Sequence, residues 1–199
     1  MSKKCLFALM LWFTTLIATG SVAGVADVPL DAESRGAAAR SDDDETAISR
    51  VLEQFRTIQV PLSHAIAIAE RLHDGSRTAD ISFETSNPPV YRVRTVKNER
   101  VWENVIDANT GSITDKEITS SLKELNREDV ANIVALKWIK QELSEAVRFA
   151  EKAAAGSALA GGLTTEDGKL NFVIVVASGD HLKEVMLEPP RVRSSHQVR

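Results

Sequence analysis

The stretch P-L-S-H-A-I-A-I-A-E-R-L-H, Pro61 to His73, decides the fold. Leu62, Ala65, Ile66, Ala69 and Leu72 recur at three- and four-residue steps, so they line one face of a helix. That face needs a partner, and the residues that follow supply one. Ile81 and Phe83 alternate, Asn87-Pro88-Pro89 interrupts, and Val90 to Val96 alternates again, with Tyr91 and Val93 on one side and Arg92 and Arg94 on the other. A turn at Lys97-Asn98-Glu99 leads to a third run, Arg100 to Ile106. One helix laid across an antiparallel sheet of about three strands buries both apolar faces.

The same plan returns 81 residues later: Leu62-Ser63-His64-Ala65 aligns with Leu143-Ser144-Glu145-Ala146, Tyr91 and Val93 with Phe172 and Ile174, and Val105-Ile106-Asp107 with Met186-Leu187-Glu188. Type and order hold while identities are few, as in a diverged internal repeat; chance similarity of two helix-plus-hairpin units is the alternative. The expected class is α+β, with two small modules, 59–113 and 141–190, each a helix packed on an antiparallel sheet of about three strands. A helical linker over 114–140 joins them, with Asn126 as an N-cap three residues before Asp129. In the second module Ala160 to Thr165 reads as a degraded first strand because of Gly161-Gly162, and Leu170 to Ala177 as a central buried one. A short helix over 46–58 stands in front, ending before Val60-Pro61.

The ends read differently. Residues 1–26 have the pattern of a signal peptide: basic Lys3-Lys4, an apolar core from Cys5 to Ala18, and small residues for cleavage after Ala23 or Ala26. An uncleaved anchor is the alternative, disfavoured by Gly20, Gly24 and the short apolar core. Residues 27–45 are a flexible leader, acidic and alanine-rich, and 191–199 a loose arginine-bearing tail. The expected location is periplasmic or secreted, without stable membrane insertion after cleavage. Cys5, the single cysteine, leaves with the signal, so disulfides and thiolate chemistry are excluded from the mature chain. Loss of Lys3 and Lys4 takes 24 basic residues to 22 against 28 acidic ones, a net charge of −6 that argues against nucleic acid as a partner.

Catalytic patterns are absent. His64 and His73 are not an i,i+4 ligand pair, and H-E-x-x-H does not occur, so no metal site is expected. Ser63 stands beside His64 without the G-x-S-x-G elbow and reads as a first-turn residue after Pro61. No glycine spacing suits a nucleotide or other cofactor, and none is expected. Tyr91 and Trp102 lie on adjacent predicted strands, either as core under the helix or as an exposed platform; with Arg92 and Arg94 they form the candidate interaction face. Asp107-Ala108-Asn109-Thr110-Gly111 reads as a tight turn, Asp107, Asn109 and Thr110 accepting backbone bonds and Gly111 taking a positive φ.

With that turn, the helix Leu62 to Ala69 and the strand Val90-Tyr91-Arg92-Val93, residues 59–113 resemble a PepSY domain, whose closure has the form D-A-x-T-G. The resemblance implies the helix-on-antiparallel-sheet fold, often in tandem, and a protein-binding role with peptidase inhibition or chaperoning in some members. It brings no catalytic residues. The second unit is a diverged copy, since Glu188-Pro189-Pro190-Arg191 replaces the turn. The reading is a non-catalytic, exported protein-binding module acting in trans on a peptidase or other envelope protein. The alternatives are a carrier of a small apolar ligand, a structural envelope protein, and an uncharacterised hydrolase.

Overall fold

Among the described residues, seven strands form one continuous antiparallel sheet, and four helices accompany it. The computed structural model describes residues 45–166 and 169–190, all within the unit Ser41–Arg199. The stretches read as a signal peptide, a leader and a tail, up to Asp44 and from Arg191, lie outside the described residues.

Helix α1 covers residues 45–55 and α2 covers Leu62–Leu72. Strands β1 (Arg77–Glu84), β2 (Val90–Lys97), β3 (Arg100–Asp107) and β4 (Ile118–Ser121) follow, then a 3-10 turn at Leu122–Glu124. Helices α3 (Arg127–Leu136) and α4 (Leu143–Ala154) precede β5 (Ser157–Glu166), β6 (Lys169–Ser178) and β7 (His181–Leu187). The strand order is β4-β3-β2-β1-β5-β6-β7.

The expectation of two separate three-stranded modules is therefore corrected. The first strands of the two halves pair with each other, Ile81 opposite Gly161 and Ser82 opposite Ala160, and this pairing fuses the sheet. A lone three-stranded sheet leaves the backbone groups of its outer strand unpaired, and here β1 and β5 satisfy one another. The stretch read as a degraded strand is β5, ten residues long, bonded to β1 on one side and β6 on the other. Nor is 114–140 a helical linker: Ile118–Ser121 joins the sheet as its edge, and only α3 within it is a regular α-helix. The stripe Ile118, Leu122, Leu125 has helical spacing, but these residues fall in β4, the 3-10 turn and its C-cap.

One hydrophobic core runs beneath both long helices. Leu62, Ala65, Ile66 and Ala69 of α2 and Leu143, Ala146, Val147 and Ala150 of α4 are buried against Ile81, Tyr91, Val93, Ile106, Phe172 and Ile174. A smaller cluster on the opposite sheet face holds α3 through Ile133 and Leu136 against Ala79, Val96 and Val101. Asn126 caps α3 by accepting from the Asp129 N–H, while its Nδ2 donates to the Asp129 carboxylate, which also reaches the sheet at Arg94.

Candidate functional site

Alternation along β2 sends its two chemistries to opposite faces. On the α3 face, Arg92 bridges strands, donating to Glu84 of β1 at 2.7 Å and to Glu103 of β3 at 2.6 Å. Arg94 lies between Asp80 of β1, at 2.7 Å, and Asp129 of α3, at 3.0 Å. Hydrogen bonding and charge from Glu84 and Glu103 outweigh burial and hold the Arg92 guanidinium firmly protonated. Burial opposes the Arg94 charge, and Asp80 and Asp129 override it.

Two carboxylates share Arg94, with Glu103 adding a third negative charge nearby, and burial is the largest influence on Asp80. Its pKa is pushed up to about 6, with Arg94 pulling the other way. A raised folded-state value means that protonation favours the fold: the stabilisation is complete below 3.8 and is lost as pH rises through about 6. The chain is therefore expected to melt at a higher temperature near pH 5 than near pH 7.5, and Asp80→Asn to remove most of that difference. The Asp80 side chain keeps 36% of its exposure, which limits the size of the effect. A melting temperature that falls steadily from about pH 7.5 to 5, unchanged by the substitution, would overturn this assignment.

On the α2 face, Tyr91 is fully buried and its hydroxyl donates to the Val60 carbonyl at 2.9 Å, so the phenol braces the entry to α2. Burial, with the charge of Glu151, pushes its pKa well up. Its ring edge meets Phe83, which meets Phe55 in turn. Trp102 is 8% exposed and pairs with Thr95, whereas Tyr91 pairs with Ile106. Thus Tyr91 and Trp102 share a face without being neighbours in register, and Arg92 and Arg94 occupy the other face.

The open feature of the α2 face is a cleft of about 880 Å³ at the C-terminal end of α2, lined by His73, Lys97, Arg100, Trp102, Thr119 and Ser121 among others. His73 is the C-cap of α2. Its ring stacks on Trp102 at 4.0 Å and 13°, and its Nε2 meets Glu117 at 2.7 Å. Arg100 stands 6.0 Å over the same indole. The sequence sets His73 aside as a metal ligand and does not single out Glu117 or Thr119, because nothing local in a sequence marks residues that meet only across a sheet edge. No group of three or more His, Cys, Asp or Glu suited to a metal occurs among the described residues.

Strand β3 ends in the turn read from the sequence. Asp107 Oδ1 accepts from the N–H groups of Asn109 and Thr110, Thr110 Oγ1 accepts from the Ser112 N–H, and Gly111 has φ +73. Bonds from Thr110 and Asn109 hold the Asp107 carboxyl below its usual range. The turn also docks α2, since the Ala108 carbonyl accepts from the Gln59 and Val60 N–H groups and the Ala108 N–H donates to Pro89.

This helix, hairpin, third strand and closing turn coincide with a family match: residues 59–117 fit the PepSY family, described as "Peptidase propeptide and YPEB domain". Residues 59–117 are a PepSY domain. PepSY domains are non-catalytic, which agrees with the lack of catalytic patterns in the sequence. The PepSY match stops short of β4 and does not extend to the second half. A crystal structure of a candidate lipoprotein from Clostridium difficile 630 is similar at 20% identity over 68% of this chain and 95% of that one, with a TM-score of 0.39. No curated protein matches the chain. No helix among the described residues is long and apolar enough to cross a membrane.

Proposed function

We propose that the chain is an exported, non-catalytic module that binds an extended polypeptide at the β4 edge, beside the His73 and Trp102 cleft. The carrying observation is that β4 ends the sheet on one side, with no strand on its outer edge among the described residues, and borders the cleft. The Leu122 N–H bonds to the Glu99 carbonyl, so by antiparallel alternation Ser120 and Ile118 face β3 while the backbone groups of Thr119 point outward. A strand added there gains main-chain hydrogen bonds, and its side chains reach the cleft. The family description names peptidase propeptides, which makes a peptidase bound in trans the first partner to test. The pattern of residues 1–26 supports export to the periplasm or beyond.

The second half is proposed as a diverged copy built into the same sheet. A step of 81 residues takes Leu62, Ala65, Ile66 and Ala69 to Leu143, Ala146, Val147 and Ala150, all of them at most 1% exposed. Glu70 accepts from the Thr78 N–H, and Glu151, one step on, accepts from the Ala158 N–H. Asn98 and Gly179, also one step apart, both have φ 58 in their hairpin turns.

Thr119→Pro removes the outward N–H from an edge position that tolerates proline. It is expected to leave the melting temperature within a few degrees while weakening capture of the partner from an envelope extract by tenfold or more. Equal recovery by both proteins, or no polypeptide recovered by the intact fold in repeated trials, would sink the edge-binding reading.

A further inference from the structure

Beside Trp102 lie two polar side chains that the fold leaves unsatisfied. Thr95 is 0% and Asn104 1% exposed, and among the described residues the Thr95 Oγ1, the Asn104 Oδ1 and the Asn104 Nδ2 have no hydrogen-bond partner. Burying such groups unpaired is costly, so each calls for a reason. Thr95 sits directly opposite Trp102, and Asn104 is two residues further along β3 opposite Val93, so all three side chains share the α2 face. The stacked rings of His73 and Trp102 line the cleft, and Trp102 borders the polar pair through its pairing with Thr95.

The second half supplies an internal control. One 81-residue step on, Thr95 corresponds to Val176 and Asn104 to Val185, while His73 and Trp102 correspond to Ala154 and Lys183. Val176 is buried in the main core, Val185 packs against it, and Lys183 simply donates to the Ala154 carbonyl. The same strand positions thus tolerate apolar residues, and the scaffold does not require polar atoms there. The polar pair and the aromatic pair occur together in the half that has the cleft.

We propose that Thr95 and Asn104, on the sheet face beside His73 and Trp102, form a site for a primary carboxamide, the asparagine or glutamine side chain of a bound polypeptide. The inference rests on the polypeptide-binding reading above. Asn104 presents one acceptor and two donors in a plane, and a second carboxamide is complementary to both at once. A carboxylate satisfies the Asn104 amino group but leaves Oδ1 facing another acceptor; an ammonium satisfies Oδ1 alone. The Thr95 hydroxyl donates or accepts as the remaining position demands. Lys97 and Arg100 stand with Asp74, Glu99 and Glu124 around the mouth, so the rim selects no strong charge. His73 lies beyond the last helical residue, held by Glu117 and the stack, and access to the pair comes when its side chain swings aside.

The test uses the full chain labelled with ¹⁵N, titrated with N-acetyl-glutamine methylamide and, separately, N-acetyl-norvaline methylamide, which lacks the carboxamide. The glutamine probe is expected to shift the Trp102 indole N–H and the Asn104 side-chain amide resonances with at least fivefold lower apparent Kd than the norvaline probe. Thr95→Val with Asn104→Val, the residues held at 176 and 185, is expected to raise the melting temperature and abolish the response. Should the double variant fail to fold, the isosteric Thr95→Val alone carries the same comparison. Equal responses to the two probes, or a slowly exchanging water on the Asn104 amide that persists at saturating glutamine probe, would overturn the site in favour of a trapped structural water. The small probes report on this site whether or not Thr119→Pro affects partner capture, so the two readings fail separately.

Discussion

Gly156→Ala is expected to lower the stability of the chain by on the order of 3 kcal/mol. A Cβ at Gly156 would lie 2.1 Å from the Ala177 carbonyl oxygen and 2.9 Å from both the Ala177 carbonyl carbon and Val176 Cγ1. The first two obstacles are backbone and cannot rotate away. Displacing them means displacing β6 next to its pairing of Ser157 with Ala177, the first rung of the second hairpin. The helix before it is no freer: Ala155 already occupies the left-handed region at φ 52, and the Gly156 N–H donates to the Glu151 carbonyl. Ala155→Gly is the natural control, since it relieves that strain and is expected to stabilise by up to about 1 kcal/mol. Denaturant midpoints measure both; an unshifted midpoint for Gly156→Ala would mean that the junction relaxes at no cost.

Arg77→Met is expected to cost a similar amount, about 3 kcal/mol, through a different mechanism. The chain passes from α3 on one sheet face to α4 on the other around the start of β1, and in crossing it turns several carbonyls towards Arg77. The Arg77 guanidinium donates to three of them, at Leu136, Ile139 and Gln141, and to the Glu142 carboxylate at 2.9 Å. Glu142 is itself the N-cap of α4, in a capping box with Glu145. Methionine keeps much of the aliphatic stem and removes the fork. Lysine is expected to recover only part of the loss, because one ammonium does not span four acceptors. Hydrogen exchange should localise the damage, with amides between 136 and 146 losing protection before those of β1 to β3; uniform loss across the sheet would contradict the hinge role.

Period and turn chemistry made the first half legible: the stripe from Leu62 to Ala69, the alternation through Tyr91 and Val93, and the Asp107 to Gly111 turn are all local patterns. The centre of the sheet was not. Gly161 and Gly162 read as a weakness in any strand considered alone, yet a Cβ at Gly161 would come within 2.8 Å of Ile174 Cδ1, so glycine there makes room for the neighbouring strand. Ile118, Leu122 and Leu125 have helical spacing by coincidence, and the pairing of Ile118 to Ser121 with β3 overrides it. The candidate interaction face suffered from the same limit. Tyr91 and Trp102 on adjacent strands read either as core under the helix or as an exposed platform, and the choice depends on what α2 places above them; both are buried. The polar atoms of Thr95 and Asn104 escaped notice because threonine and asparagine in a strand are unremarkable until their partners are sought and not found.

The pairing of Ile81 with Gly161 at the centre of the sheet joins residues 80 positions apart, whereas the hairpins on either side close over short turns. Order of assembly follows from this. During synthesis β1 to β3 are complete long before β5 exists, and β1 then waits as an open edge that another copy of the chain can occupy. A fragment ended at residue 117 is permanently in that condition and would pair β1 with β1 of a second fragment rather than remain a monomer. Contacts of such long range form slowly, so the hydrogen bonds at the geometric middle of this molecule are the last of the sheet to be made.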